Sequence, residues 1–437
     1  TRVTTSESMT TQASTQLGNP LALIIAGGII ILLGSVPGMP SFIFLTLGIA
    51  AGLAGYFLSK SADKKIAEAA NDVSEATKEN DVNKEELTWD DVDQVDLVGL
   101  DIGYGLIPLV NPETGGQLLP RVKGVRKKLS AELGFLVQPI RIRDNLDLEP
   151  DVYNIVMNGV IRGKGEIKIG QELAINPGQV HGSLEGTPTK EPAFGLDAVW
   201  IDPAQRDYAR TLGYTVVDPA TAIATHLNTL LRNNASELIS HDETQQLLDK
   251  VAERSPKLVE DLVPEKLSLA TITKVLQNIL DESVSVRDMR TILEVLSTES
   301  SRTQDVEELT AAVRPKLGRM IVQGLVDVDD NLPVMTLNPA LEQMLNNILQ
   351  QSGSSQGLVI EPKLAESLIS ALAKNTREIE DQGSAAVLVV SPTLRPWLSK
   401  FIRHRLSDLT VLSYSEIPDD QAVDVVATID VDPSNEQ

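Results

Sequence analysis

Histidines, cysteines and paired carboxylates supply most catalytic and metal-binding sites. In this sequence they do not occur at the spacings that such sites require. The four histidines, at positions 181, 226, 241 and 404, form neither an HxxxH nor an HExxH pair, so a zinc site is not expected. The absence of cysteine excludes disulfide bonds and thiol nucleophiles. Carboxylates are abundant, but Asp90, Asp91 and Asp93 stand in a run of linker charge. We therefore predict no catalytic residue, no metal ion and no cofactor.

Two glycine-containing strings resemble nucleotide-binding loops but lack their defining residues. Gly103 and Gly105 lack the third glycine and the following helix of a dinucleotide-binding fingerprint. The string GVIRGKG at 159–165 is one residue short of a phosphate-binding loop, and no Ser or Thr follows its lysine. Asn158 and Gly159 instead separate two alternating runs, which is a strong signal for a β-hairpin.

The charge and the aromatic content of the chain limit the kinds of molecule that it is expected to bind. The formal net charge of the 437 residues is −23, so the soluble surface repels nucleic acid and anionic lipid. Aromatic residues make up 3% of the chain, too few for base-stacking platforms. We therefore predict no nucleic-acid partner. The lack of cysteine suits a reducing cytoplasm.

Near the N-terminus lies a long apolar stretch. Residues 17–58 contain no Lys, Arg, Asp, Glu or His. The segments 19–36 and 40–58 are each close to the roughly 20 apolar residues that cross a bilayer as a helix, and the PGMP string between them breaks a helix. This pattern predicts a transmembrane helical hairpin at 19–58. A buried hairpin in a soluble protein is the disfavoured alternative, because neither segment has a polar face.

Positive charge indicates the orientation of this hairpin. Lys60, Lys64 and Lys65 follow the second segment directly, which places that end in the cytoplasm by the positive-inside rule. An even number of spans returns the chain to its starting side, so residues 1–18 are expected to be cytoplasmic. The chain opens on Thr1 without an initiator methionine, so we expect further sequence upstream, including membrane spans.

Residues 59–95 are rich in Ala, Lys, Asp and Glu and nearly devoid of large apolar side chains. Such a run is typical of a solvated acidic tether, and the alternative is a segment that docks on a partner or a neighbouring subunit.

The helix predicted at 117–133 carries an apolar stripe and a basic surface that includes Arg121, Arg126 and Lys127. That surface is either simply solvated or contacts an acidic linker or subunit.

The remaining chain predicts an α+β multidomain fold. Asp218 and Pro219 form an N-cap and first-turn pair that begins a long helix. Residues 242–317 are predicted to be helical, and 319–437 alternate strands and helices as in a small α/β unit. Between positions 173 and 201 the pattern loosens and Gly and Pro are dense. Phe194 in this stretch is either a local core plug or an exposed anchor for a partner.

Several long strings carry a resemblance to a known family. They are DIGYGLIPLV, GGQLLPRVKGVRKKLSAELGFLVQPIRIRDNL, TPTKEPAFGLDAVWI, LGYTVVDPATAIATHLNTLLR and SVRDMRTILEVL. Over nearly the whole chain the sequence resembles the export-gate (FHIPEP) family of type III secretion, whose flagellar branch is favoured by THLNTLLRNNASELI followed by DETQQLLD. The alternatives are the virulence branch (the LcrD/InvA type) and, less favoured, a membrane-anchored enzyme.

The resemblance implies a multi-pass protein of the bacterial inner membrane, with the hairpin as its last two spans and no enzymatic activity. A large cytoplasmic region would follow the linker and assemble as a homo-oligomeric ring, a nonamer, below the export channel. Four subdomains are implied: a discontinuous first one at 96–169 and 219–238, a small inserted α/β one at 170–218, a helical third at 239–318, and an α/β fourth at 319–437.

The resemblance also implies a docking site and its partners. The EPAFG string would help to build a cleft between the first two subdomains, where flagellar export chaperones dock with their cargo. Phe194 would be the hydrophobic anchor beside Pro192, Glu191 an acidic rim residue, and Thr225 a contact on the facing helix. Family members often carry Asp where Glu191 stands. Other implied partners are membrane proteins of the export gate, the export ATPase complex and membrane lipid.

Overall fold

The structure, a computed structural model, describes Thr46, Ile49, 95–111, 113, 116–327, 329–352 and 360–431. The predicted N-terminal segment 1–18, hairpin 19–58 and linker 59–95 lie outside the described residues, apart from Thr46, Ile49 and Val95. No helix among the described residues combines the length and the apolar character needed to cross a bilayer. The chain divides into two units, 1–94 and 95–437, and the second contains the elements that follow.

The first sheet contains the hairpin that the sequence predicts. Its order is β2-β1-β3-β4, with β1 parallel to β2 and the remaining pairs antiparallel. Asn158 and Gly159 turn the β3–β4 hairpin with φ of 50° and 77°, which confirms the predicted hairpin. The bounds are β1 Val98–Ile102, α1 Leu118–Leu133, β2 Arg141–Asp144, β3 Val152–Met157 and β4 Val160–Glu166.

The second sheet occupies the stretch whose sequence pattern loosens. It is wholly antiparallel, in the order β6-β7-β5-β8, where the sequence suggested an irregular segment up to Ile201. Its strands have three to five residues and β6 is mostly exposed, so no apolar alternation develops. The bounds are β5 Glu172–Ile175, β6 Thr187–Lys190, β7 Asp197–Ile201, α2 Arg206–Thr211 and β8 Thr215–Val217.

Helices fill the middle of the chain, as predicted. α3 begins as expected: the Asp218 carboxylate accepts from the Thr221 N–H at 2.9 Å, and Pro219 occupies the first turn. Each long helix buries one apolar face in the main core. The bounds are α3 Pro219–Asn233, α4 His241–Ala252, α5 Pro256–Glu260, α6 Leu269–Asp281, α7 Met289–Glu299, α8 Val306–Val313 and α9 Gly318–Gln323.

The third sheet is parallel, in the order β11-β10-β9-β12, which confirms the predicted α/β alternation. One face joins the main core through Val334, Val387 and Leu412, and the other face forms its own core with α10–α12. The bounds are β9 Leu332–Leu337, α10 Pro339–Ser352, α11 Pro362–Glu380, β10 Val387–Val390, α12 Arg395–Ile402, β11 Thr410–Ser413 and β12 Val423–Ile429.

Four charged side chains join the helices to the third sheet. Glu282 follows α6 and Arg314 follows α8, whereas Arg395 begins α12 and Glu416 lies beyond β11. Arg314 bridges Glu282 at 2.7 Å and Glu416 at 2.9 Å, and Arg395 also pairs with both glutamates. Both arginines and Glu416 are buried. The helical region (Glu282 and Arg314) and the region of the third sheet (Arg395 and Glu416) therefore each contribute one cation and one anion to a charge-balanced cluster.

Candidate docking site

The candidate site is the six-residue loop 191–196 between β6 and β7, called here the Phe194 loop. Lys190 pairs with Asp197 where the two strands meet the loop. The loop is closed by two backbone hydrogen bonds, from the Glu191 N–H to the Leu196 carbonyl (2.8 Å) and from the Gly195 N–H to the Glu191 carbonyl (2.9 Å). Gly195 adopts φ of 70°, a conformation that favours glycine. The loop is therefore ordered by its own main chain.

Phe194 lies on the outside of this loop. Its side chain is 66% exposed, whereas Trp200 on the adjacent strand is 2% exposed and belongs to the main core. Of the two sequence alternatives, the core plug is therefore excluded for Phe194. Leu196 is also exposed and Pro192 is half-buried. A large apolar side chain held outward by an ordered loop is suited to enter a pocket of a partner.

Glu191 is not the rim residue that the resemblance implies. Its side chain is 2% exposed. One carboxylate oxygen accepts from the Ala193 N–H at 2.8 Å and the other from the Phe194 N–H at 2.7 Å. The carboxylate accepts hydrogen bonds from two backbone N–H groups of the turn. Because the side chain is buried, it is not accessible to a partner.

Two aromatic residues of the main fold, one on β3 and one on α3, form a buried pair. The Tyr153 hydroxyl on β3 and Nδ1 of His226 on α3 are 2.8 Å apart, and the rings meet edge to face. Burial lowers the pKa of His226, opposed by the charge of Glu191. Burial also raises the pKa of Tyr153, and Glu191 adds to that rise. Burial therefore favours the uncharged form of both rings.

Two glycines of β4 make room for this pair. A Cβ atom at position 163 would lie 2.9 Å from Nε2 of His226, and one at position 165 would lie 2.5 Å from the Tyr153 hydroxyl. The glycine-rich string that superficially resembled a phosphate-binding loop is thus a strand that two rings approach closely. The sequence did not reveal the pair, because Tyr153 and His226 are 73 residues apart.

The remaining predicted site residues lie on two helices. Thr225 is half-buried on α3, directly before His226. On α1, Arg121 pairs with Asp218 at 2.7 Å and the Arg126 Nε–H donates to the Val137 carbonyl at 2.7 Å, so both already bind within the chain. Lys127 is exposed. Among the described residues, no three His, Asp or Glu side chains are placed to hold a metal ion.

Comparison with known sequences gives a family and several relatives. The FHIPEP family model matches residues 1–422. The flagellar biosynthesis protein FlhA of Escherichia coli K12 is 43% identical over 431 residues, and that of Salmonella typhimurium is 42% identical over 431 residues. Each alignment covers 98% of this chain and 61% of the relative, so the chain spans less than two thirds of their length.

Comparison with solved structures supports the fold. The Chlamydia pneumoniae CdsV protein in complex with CdsO aligns with a TM-score of 0.68 and 22% identity, over 78% of this chain and 100% of that one. Nonameric EPEC SctV-C aligns with a TM-score of 0.62 and 22% identity, over 77% and 99% respectively. These similarities confirm the predicted mixed α/β architecture of the region after the linker.

Proposed function

Because the chain belongs to the FHIPEP family, we propose that it is the flagellar export-gate protein of a type III secretion system and acts without enzymatic activity. The flagellar assignment rests on 42–43% identity to FlhA along 98% of the chain. The predicted hairpin would anchor it in the inner membrane. Its larger unit, 95–437, would lie in the cytoplasm and receive flagellar export chaperones with their cargo.

The exposure of Phe194 carries the docking proposal. A few aromatic anchors supply most of the energy in many interfaces, often about 2 kcal/mol or more for one residue. The backbone that carries Phe194 is already ordered before a partner arrives, so little backbone conformational entropy is lost on docking. The exposed Lys190–Asp197 pair at the base of the loop would contribute to orientation and on-rate more than to affinity.

Assembly into a ring of nine is part of the same proposal. A similar fold was solved as a nonamer. The subdomain boundaries implied by the resemblance, at 96–169 with 219–238, 170–218, 239–318 and 319–437, would define the units of each protomer. Lys127 would contact the acidic linker or a neighbouring subunit, whereas Arg121 and Arg126 keep their partners within the chain. The export ATPase complex would bind this ring, as CdsO binds the similar CdsV.

Replacing Phe194 with alanine tests the proposal. We expect Phe194→Ala to weaken binding of a purified late-export flagellar chaperone by about 30-fold or more, because it removes about 2 kcal/mol of anchor energy. Isothermal titration calorimetry measures this change. Tyr208→Ala is the matched control, because Tyr208 is a similarly exposed aromatic residue on α2. The docking proposal is wrong if Phe194→Ala binds as tightly as Tyr208→Ala.

A further inference from the structure

The turn that follows β1 exposes two large side chains outside the Phe194 loop. A 3₁₀ helix covers Tyr104–Leu109. In such a helix, side chains three positions apart lie one above the other, about 6 Å along the axis. Tyr104 is 56% exposed and Ile107 is also exposed, whereas Leu106 between them is buried in the main core. Tyr104 and Ile107 therefore form a ridge on the outer face of this turn.

The loop between β2 and β3 lies directly beside the same turn. The Asn145 N–H donates to the Ile102 carbonyl at 2.9 Å. At the other end of the loop, the Gly103 N–H donates to the Val152 carbonyl at 2.8 Å. A Cβ atom at position 103 would lie 2.1 Å from the Glu149 carbonyl oxygen, so this close approach requires glycine. Both ends of the loop are therefore held against the turn.

This loop adds an apolar side chain and several carboxylates to the surface. Leu146 is 79% exposed. Four acidic residues at the end of β2 and in the loop are also exposed, and none of them pairs with a Lys or Arg among the described residues: Asp144, Asp147, Glu149 and Asp151. Arg141 and Arg143, which precede the loop on β2, both pair with Asp96. The surface thus combines exposed apolar side chains with uncompensated negative charge.

We propose that this surface, called here the Tyr104 surface, is a second docking surface and receives a cationic amphipathic helix of a partner protein. It consists of Tyr104, Ile107 and Leu146 together with the four carboxylates. The inference goes beyond the proposed docking function, because it involves other residues and a different kind of ligand. An ordered ridge of large side chains is suited to such a contact, because little backbone entropy is lost when a partner binds.

The spacing of the ridge favours a helix as the occupant. Tyr104 and Ile107 are about 6 Å apart along their axis. One turn of an α-helix rises by about 5.4 Å, so its side chains three or four positions apart have nearly the same spacing. Two apolar residues of the partner, one turn apart, can therefore pack on Tyr104 and Ile107 together.

The charge of the surface favours Lys and Arg on the flanks of that helix. Carboxylates beside an apolar contact select a cationic partner and penalise an acidic one, because like charges repel across an interface. The formal net charge of the whole chain, −23, also speeds the approach of a cationic ligand. Both effects weaken as the salt concentration rises.

Binding of a designed peptide tests the proposal. The probe is a fluorescein-labelled peptide of about 18 residues, long enough to be helical, with Leu on one face and Lys on the other. A second peptide carries Glu in place of every Lys. The protein is the full chain in phosphatidylcholine nanodiscs, and empty nanodiscs give the background. We expect fluorescence anisotropy to show that the cationic peptide binds about tenfold or more tightly than the acidic one.

Two double variants separate the apolar contact from the charge. Tyr104→Ala with Ile107→Ala should weaken binding of the cationic peptide by about tenfold or more. Asp147→Asn with Glu149→Gln should weaken it severalfold and reduce its salt dependence, because two carboxylates are lost. Tyr208→Ala is the matched control, since Tyr208 is a similarly exposed tyrosine. Phe194→Ala should bind the peptide as the wild type does.

Three results would overturn the proposal. One is that the cationic peptide binds the Tyr104→Ala, Ile107→Ala variant as tightly as the wild type, or no more tightly than the acidic peptide does. Another is that Phe194→Ala abolishes binding, because the peptide would then occupy the Phe194 loop. The third is that the wild-type chain does not bind the peptide, as expected if residues 1–94 or a second copy covers the surface. Chaperone docking is measured separately with Phe194→Ala, so the two proposals fail independently.

Discussion

Replacing Trp200 with alanine is expected to lower the free energy of unfolding by about 3–5 kcal/mol, because it empties a large site in a closely packed core. Trp200 is almost fully buried and pairs across the second sheet with Leu173, and both side chains belong to the main core. The second sheet otherwise has only a small core of its own, formed by four buried residues. Trp200 is therefore a principal link between this sheet and the rest of the fold.

Urea denaturation followed by far-ultraviolet circular dichroism measures this loss without relying on tryptophan fluorescence. The matched control is Phe194→Ala, six residues earlier, which should change stability by less than about 0.5 kcal/mol because the side chain is exposed. A loss below about 1 kcal/mol for Trp200→Ala would contradict its assignment as the link. Comparing the two substitutions thus distinguishes an effect on stability from an effect on docking.

Replacing Glu416 with alanine should destabilise the protein by a similar amount, about 3–5 kcal/mol, because it breaks a buried ion pair and leaves a charge uncompensated. Glu416 is 3% exposed and receives both Nε and Nη2 of Arg314, at 3.2 and 2.9 Å. Without it, Arg314 and Arg395 would share Glu282 as their anion. Burial and the charge of Arg314 already lower the pKa of Arg395, which shows how unfavourable a further loss of negative charge would be.

A double substitution separates the lost charge from the lost packing. Arg314→Met combined with Glu416→Leu removes one cation and one anion, so Arg395 and Glu282 remain as a balanced pair. We expect the double variant to recover most of the stability lost in Glu416→Ala, because apolar residues of similar volume often replace buried ion pairs at little cost. Thermal unfolding measures each variant. If Glu416→Ala loses less than about 1 kcal/mol, the cluster does not join the two halves as proposed.

Local signals in the sequence predicted the elements that depend on neighbouring residues. The apolar stripe of α1 ends at Gly134, which adopts φ of 96°, and the Ser268 side chain caps α6 by accepting from the Thr271 N–H. The β3–β4 turn follows from Asn158 and Gly159 in the same way. In each case the determining residues lie within one turn or one helix.

The features that could not be predicted depend on residues far apart in the chain. Arg314 and Glu416 are 102 positions apart, and nothing near either residue indicates a buried partner. Glu191 stands in a polar, proline-containing loop, and nothing near it in the sequence indicates that its side chain is buried. The sequence left Phe194 as either a core plug or an exposed anchor, the resemblance to a family favoured the anchor, and its exposure became visible only in the fold.

The most direct test of the docking claim is photo-cross-linking from position 194. Phe194 is replaced by the photoreactive residue p-benzoylphenylalanine in the full chain, and the same residue replaces Tyr208 in a second variant as the control. If the Phe194 loop receives the partner, illumination should cross-link a bound export chaperone from position 194 and leave position 208 free. A chaperone that binds the ring but cross-links equally from both positions, or from neither, would contradict the account.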